Sequence, residues 1–336
     1  MITPSVLTGR RPLSLPDGAE PLLAVVVDTE EEFDWDAPFS RESTSVEALA
    51  ELDRLQEVCT EHGVSPTYVC DWPVVTSDLG QRTLAKHLEA GRCDVGAHLH
   101  PWVTPPHSEE VTTHNSYPGN LPPDLEREKL ECLTSAIEEH LGRRPRIYRA
   151  GRFGFGPRTA EALVALGYTV DVSPLAGFDL SGDGGPDWSA LDPRTYSFGP
   201  DDGLIGFPAT GGFAGWLPGG GGLHRALHTA LPAALRLPGI LSRLGAFERL
   251  MLSPEGYTLT HMQRLTRALL ARGVRTFQLS LHSPSMLPGC TKYVRNPQER
   301  DELLARCADY FRWFREKVGG EMLTLAELPQ RLEATA

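Results

Sequence analysis

The sequence predicts an α/β protein, a (β/α) barrel around a parallel sheet, and three observations predict it. Apolar, β-branched stretches alternate with amphipathic helical ones at the rhythm of βαβ units. The first strong stretch, Leu22-Leu23-Ala24-Val25-Val26-Val27, carries no charge, as a strand buried on both faces requires. Polar and ionisable residues follow most of the stretches, and in α/β folds ligands gather at the carboxyl ends of the strands.

The elements follow in order. Residues 1–20 read as a polar, proline-containing leader, and residues 21–334 as one domain. After the strand at 22–27, residues 43–61 repeat Val46, Leu49, Leu52, Leu55 and Val58 at helical spacing, with Gly63 placed to end the helix. Strands at 66–71 and 93–98 flank a helix at 78–90. Residues 101–123 are rich in Pro, His, Ser and Thr without periodicity; a loop that long inside a compact domain is usually functional. A helix at 125–141 ends at Gly142, a strand follows at 146–149, a helix at 157–166 starts on proline and ends at Gly167, and a strand occupies 168–172. Residues 178–252 read as an insertion that covers the cleft: dense in Gly, Asp and Pro as far as 222, with one strand at 204–208 and a mobile glycine run at 219–222, then helical but broken by Pro232 and Pro238. A helix at 260–272, a strand at 276–282, a long helix at 297–318 and a short strand and helix at 322–332 complete the chain. Tyr310, Phe311, Trp313 and Phe314 on the long helix read as core packing.

With 336 residues the chain can bury a large core, and α/β barrels of this length run as one unit. A net charge of −12 argues against a nucleic-acid partner, which wants a basic face, and against an anionic membrane. The six cysteines form no CxxC pair and read as reduced, mostly buried thiols. No apolar run follows Arg10 and Arg11 to make a signal peptide, and no run has the ~20 apolar residues of a membrane span, so a cytoplasmic location is the expectation. Oligomeric state is left open.

The chemistry is expected where the strands end. Asp28 and Glu30 open an acidic burst, Asp28-Thr29-Glu30-Glu31-Glu32-Phe33-Asp34-Trp35, with five carboxylates in seven residues. Such crowding at the mouth of a buried strand is costly unless a cation or a hydrogen-bond network compensates, or unless the burst is a solvated loop or helix start. Asp71 follows the second strand, His98 and His100 the third, Arg149 and Arg152 the fourth, Asp171 the fifth and His282 the last. Two histidines and a carboxylate make a three-point site for a divalent cation, zinc foremost, and an i, i+2 pair presents both imidazoles on one side of an extended chain. A second carboxylate can then act as base and a separate histidine as acid. The arginines can orient carboxylates or hold an anionic group. The competing readings are a hydrogen-bonded surface pair for His98 and His100, a core histidine for His282 and a structural ion pair for Arg149. His107 and His114, in the long loop, are exposed unless the loop folds back to the cation.

Taken in this order, the motifs resemble the polysaccharide deacetylase family with the NodB homology domain (carbohydrate esterase family 4), and within it the WalW-like branch, over roughly residues 22–330. The resemblance implies a distorted (β/α) barrel with a long insertion before the last motif. It implies Asp28 as general base, Arg149 as the residue orienting it, Asp171 and His282 as the last two motifs with His282 the general acid, and a carboxylate and two histidines on the metal, for which His98 matches the first histidine and Glu30 and His100 are the candidates. The chain departs from the family pattern: Thr29 separates the acidic pair, His98 and His100 are separated by one residue instead of three, the arginine motif lacks its proline, and Trp102 stands where the second histidine is expected. His100 or a loop histidine then replaces it, or the metal site is altered. Trp35, Trp102 and Arg152 are the candidate substrate contacts. The expected activity is a metal-dependent amide hydrolase, foremost an N-deacetylase of an acetylated amino sugar or small glycoside. The alternatives are a hydrolase of another non-peptide C–N bond, such as a formamide or cyclic amide, and a metal-free barrel acting as a binding module.

Overall fold

In the computed structural model, which describes residues 9–217, 226–227, 244 and 246–334, the first apolar run is a strand buried along its whole length. Its side chains alternate between two clusters. Leu22, Ala24 and Val26 meet Val69, Ile147 and Val170 inside the curl of the sheet, while Leu23, Val25 and Val27 pack outward against the helices. The period of two then carries Asp28 to the inner face, at the strand's carboxyl end.

The strands are β1 (Arg11–Ser14), β2 (Leu22–Thr29), β3 (Thr67–Cys70), β4 (Asp94–Leu99), β5 (Ile147–Ala150), β6 (Val170–Asp171), β7 (Tyr196–Phe198), β8 (Leu204–Gly206), β9 (Gly211–Ala214), β10 (Glu248–Met251), β11 (Thr276–His282), β12 (Glu321–Met322) and β13 (Glu333–Ala334). The main sheet runs β11-β2-β3-β4-β5-β6-β8-β7-β1-β13, parallel from β11 to β8 and antiparallel beyond. β12 pairs with the start of β2, on the side where β3 has not yet begun. The sheet curls so far that its β11 edge meets the segments that follow β8 and β10: Gln278 N–H donates to Thr210 Oγ1 (2.8 Å), Thr210 N–H to Gln278 O (3.4 Å) and Ser280 N–H to Leu252 O (3.1 Å). The result is a distorted (β/α) barrel.

Helices α1 (Leu52–Glu61), α2 (Trp72–Thr76), α3 (Asp78–Glu89), α4 (Pro123–Leu141), α5 (Thr159–Leu166), α6 (Leu259–Leu270) and α7 (Pro297–Trp313) clothe it. Gly142 and Gly167 end α4 and α5 in the left-handed conformation, as their positions predict. Tyr310, Phe311 and Phe314 are fully buried, and all six cysteines are free. No helix among the described residues is long and apolar enough to cross a membrane.

Several boundaries differ from the sequence reading. The leader contains β1, which bridges β7 and β13. The helix expected over 43–61 begins only at 52, after a 3-10 turn at Glu47–Glu51. The insertion adds β7 and β8 to the sheet and a β9–β10 ribbon, so much of its described part builds the barrel instead of covering it. Residues 248–251, expected to be helical, are a strand because Gly211–Ala214 offers them an edge, and short apolar runs do not distinguish the two states. The glycine run and most of the predicted helix at 223–252 lie outside the described residues.

The long loop after β4 is held by a buried cation. Lys129 of α4 is fully buried and donates to the carbonyls of Pro101 (2.9 Å), Thr104 (2.5 Å) and Pro106 (2.7 Å), with Glu109 Oε2 at 3.1 Å. Lys129→Met leaves Glu109 without its buried partner, and three carbonyls lose their donor. Urea unfolding is expected to show a loss of about 3–5 kcal/mol; a loss below about 1 kcal/mol would mean that the loop is held elsewhere.

Candidate active site

Strand register decides which side chains meet. Across the sheet His282 of β11 lies beside Asp28 of β2, and His98 of β4 beside Arg149 of β5. All four point to the inner face at the carboxyl end. They line or underlie a cleft of about 340 Å³ with Glu30 and His100 in its floor and Phe33, Trp35, Phe39, Tyr117, Phe153, Leu180 and Tyr293 among its walls. A larger hollow of about 500 Å³ lies across Phe33 and Trp35 and holds none of the converging groups.

Asp28 is tied to Arg149, whose Nε donates to Oδ1 at 2.9 Å. The guanidinium is fully buried and spends its other donors on Val172 O and Ser280 Oγ, both at 2.9 Å. Burial alone would raise the Asp28 carboxyl, but the charges of Arg149, His98 and His282 outweigh it and hold the group below its usual range. His282 Nε2 is 3.7 Å from Asp28 Oδ2, and its Nδ1 is 2.6 Å from Glu255 Oε2. Burial alone would lower His282; the carboxylates of Glu255, Glu30 and Asp28 reverse this and raise it to about 10. At neutral pH the site therefore holds an ionised Asp28 beside a protonated His282.

The second constellation is Glu30, His98 and His100, whose candidate ligand atoms all lie within 4.8 Å of one another. His98 Nε2 is 3.2 Å and His100 Nε2 3.5 Å from Glu30 Oε2. His98 Nδ1 faces Arg149 O (3.1 Å), a group that can only accept, so Nδ1 carries a proton and Nε2 is the nitrogen that faces Glu30. His100 Nδ1 faces Glu31 Oε2 (2.8 Å), and burial pushes the His100 ring down to about 4, which keeps it neutral. With its proton on Nδ1, His100 turns the lone pair of Nε2 toward Glu30. Two ring nitrogens and a carboxylate oxygen thus converge on one point, which a shared proton or a cation satisfies. The donor set of two nitrogens and one oxygen is one that zinc and similar divalent ions take.

Behind His100, Glu31 N–H donates to Asp71 Oδ2 (2.7 Å), and Asp71 Oδ1 caps α2 through Val74 N–H (2.9 Å). Burial pushes Glu31 up to about 8, and burial together with the Glu31 charge pushes Asp71 well above the ordinary range. Glu31 therefore ionises only as pH rises through about 8.

Three expected site residues are engaged otherwise. Trp102 is buried and does not line the cleft; it stacks on His100 (centroids 4.3 Å apart) and donates its indole N–H to Glu31 Oε1 (2.7 Å). Asp171 pairs in register with Tyr148, the residue before Arg149, so it faces the helices; its Oδ1 accepts from Ser173 N–H and hydroxyl, and no hydrogen bond joins it to Arg149. Arg152 lines the cleft, but its guanidinium is occupied by Asp183, Ser116 Oγ (2.7 Å) and the Tyr117 ring (4.0 Å). Trp35 lines the cleft, edge-on to His282 with centroids 5.0 Å apart. His107 and His114 are exposed, and His114 pairs with Asn115. Sequence reasoning missed the roles of Glu31, Glu255 and Ser280. Glu31 stood in plain view within the acidic burst, but Glu255 follows a segment without periodicity and had no signal.

No family model matches the chain, and no curated protein does. Solved structures do. A protein from Mycobacterium smegmatis assigned as a polysaccharide deacetylase is 17% identical with a TM-score of 0.57, covering 95% of this chain and 92% of its own. Puue allantoinase is 14% identical with a TM-score of 0.56, covering 94% and 91%. A 4-alpha-glucanotransferase from Thermococcus litoralis is 10% identical with a TM-score of 0.50, covering 94% of this chain and 41% of that one. These chemistries differ, and identity at this level speaks for fold alone.

Glu255→Gln removes the charge that holds His282 protonated. Nitrogen-detected NMR is expected to move the His282 midpoint down by about one unit or more from its alkaline position; an unmoved midpoint would assign the shift to other groups. A raised histidine stabilises the folded state fully below its unfolded midpoint of 6.5, and this is lost as pH rises toward about 10, so the variant's stability varies less across that window. The register, the curled sheet and the two neighbours that match over nearly their whole length agree: the chain has the NodB-type fold of the polysaccharide deacetylases.

Proposed function

We propose that the chain is a metal-dependent amide hydrolase that removes an acyl group, foremost acetyl, from the nitrogen of an amino sugar or a small related glycoside. The observation that carries this reading is the convergence of the His98 and His100 ring nitrogens on Glu30, beside an ionised Asp28 and a protonated His282. Glu30, His98 and His100 would hold a divalent cation, zinc foremost. When bound, the cation polarises an acyl carbonyl and acidifies water.

The chain's own residues do the rest. Asp28, kept ionised by Arg149, accepts the proton of the attacking water. His282, kept protonated and oriented by Glu255, gives its Nε2 proton to the departing amine. Water is consumed, and acetate and the free amine are formed. The aromatic walls, Trp35 and Tyr293 among them, offer apolar faces to a sugar ring and exclude bulk water. Arg152 is satisfied by Asp183 and serves the wall, which suits an uncharged substrate. Trp102 and Asp171 take supporting places in this reading and do not touch substrate.

Asp28→Asn is expected to lower kcat by roughly 10²- to 10⁴-fold on an N-acetylated amino sugar while the bound metal, measured by elemental analysis, is retained. Unchanged turnover would remove Asp28 from the base role. A purified protein that carries no metal and ignores added zinc or cobalt would favour the binding module. The same groups could open a formamide or a cyclic amide, so the substrate panel follows acetate, formate and ring-opened product together.

A further inference from the structure

The metal reading leaves unexplained why a histidine pair spaced i, i+2 is followed, again at i+2, by a buried tryptophan. The answer lies in what surrounds His100. Two consecutive carboxylates, Glu30 and Glu31, grip opposite nitrogens of this one ring: Glu30 Oε2 is 3.5 Å from Nε2 and Glu31 Oε2 is 2.8 Å from Nδ1. Glu31 is itself held at three points. Its backbone N–H donates to Asp71, its Oε1 accepts from the Trp102 indole at 2.7 Å, and only Oε2 is left for His100. An indole nitrogen donates and never accepts, so Oε1 is committed. The same indole stacks on the imidazole with planes 25° apart, which fixes the ring's tilt.

We propose that Glu31 is a positioning residue that fixes the His100 tautomer, with the proton on Nδ1 and the lone pair of Nε2 presented to the cation site, and that Trp102 holds Glu31 in the pose that does this. The proposal rests on the metal reading above, but the tautomer itself exists without a cation and is measured without one. Polar groups behind a ligating histidine typically change metal affinity by 10–100-fold.

Substitution by glutamine makes the logic testable. In Glu31→Gln the amide oxygen must still accept from Trp102, so the amide NH₂ faces His100 Nδ1. Nδ1 must then accept, the ring proton moves to Nε2, and the ligand lone pair is lost. Nitrogen NMR of the cation-free protein at alkaline pH, with Glu31 ionised, is expected to report the Nδ1–H form of His100 in the wild type and the Nε2–H form in Glu31→Gln. Cobalt titration is expected to give a dissociation constant about 10–100-fold weaker for the variant, with altered visible bands. Trp102→Phe releases Glu31 without changing its charge and is expected to weaken cobalt binding in the same direction but less. It also serves as the test should Glu31→Gln fail to fold. In the double variant the amide is free to turn its oxygen to His100, and the Nδ1–H form is expected to return.

An unchanged tautomer in Glu31→Gln, or unchanged cobalt affinity in both single variants, would overturn the proposal. Two cobalt ions per wild-type chain, one of them lost in Glu31→Gln, would also overturn it, because Glu31, Asp71 and His100 would then form a second cation site. A wild-type chain that takes up no cobalt but shows the expected tautomers would leave the brace standing and reject the metal reading instead.

Discussion

Three carboxylates, Asp28, Glu30 and Glu31, are buried within four residues at the end of β2. That is the constraint on which the rest of the site depends. A carboxylate taken out of water must be paired, hydrogen-bonded or protonated. Each here meets the requirement differently. Asp28 is paired with a guanidinium, Glu30 faces two imidazoles, and Glu31 accepts from an indole and faces an imidazole, its carboxyl pushed up by burial. One sequence run thus yields three chemical environments, separated by strand alternation and by which loop lies beyond it. Distinct environments for neighbouring carboxyls are how a site assigns separate roles to residues of the same type.

Arg149 ties this end of the barrel together. It is fully buried, and its donors reach β2, the chain after β6, and β11. A buried guanidinium so satisfied is costly to disturb, because losing any one acceptor leaves a buried donor unpaired. Its own backbone carbonyl sets the proton on His98. The residue that keeps Asp28 ionised is therefore also the residue that fixes which His98 nitrogen faces Glu30, and the two halves of the site share one anchor.

How much of this was legible in the sequence follows from what each feature depends on. The inner strands were legible because charge-free runs buried on two faces leave a local mark, and the polar residues at their ends were legible for the same reason. Glu30, His98 and His100 do converge, and so do Asp28, Arg149 and His282. Asp171 illustrates the limit. It stands at a strand end like the others, but one step of register turns it to the helix side with Tyr148, and register is a property of pairing that one strand alone does not reveal. Glu255 was invisible because the segment before it, after β10, has no periodic pattern, and its position is set by Ser285 and the backbone of His282. Of the insertion's strands, β8 was expected at 204–208, whereas β7, β9 and β10 were missed because strands of three or four residues draw their stability from neighbours rather than from their own composition.

The run His98, Leu99, His100, Pro101, Trp102 completes the argument about spacing. The strand places 98 and its successor at 100 on one side, and the turn that follows, closed by Thr104 N–H on His100 O, brings 102 up behind them, so the three rings form a file: the imidazoles lie 4.5 Å apart and the second imidazole lies 4.3 Å from the indole. A histidine at the third place would offer another ligand nitrogen. A tryptophan there offers only a donor, and a donor needs an acceptor, which Glu31 supplies. Moving the second imidazole two residues closer to the first thus changes more than a ligand's address. It frees the third ring to brace the second through a carboxylate, and it makes the third member of the acidic run part of the site.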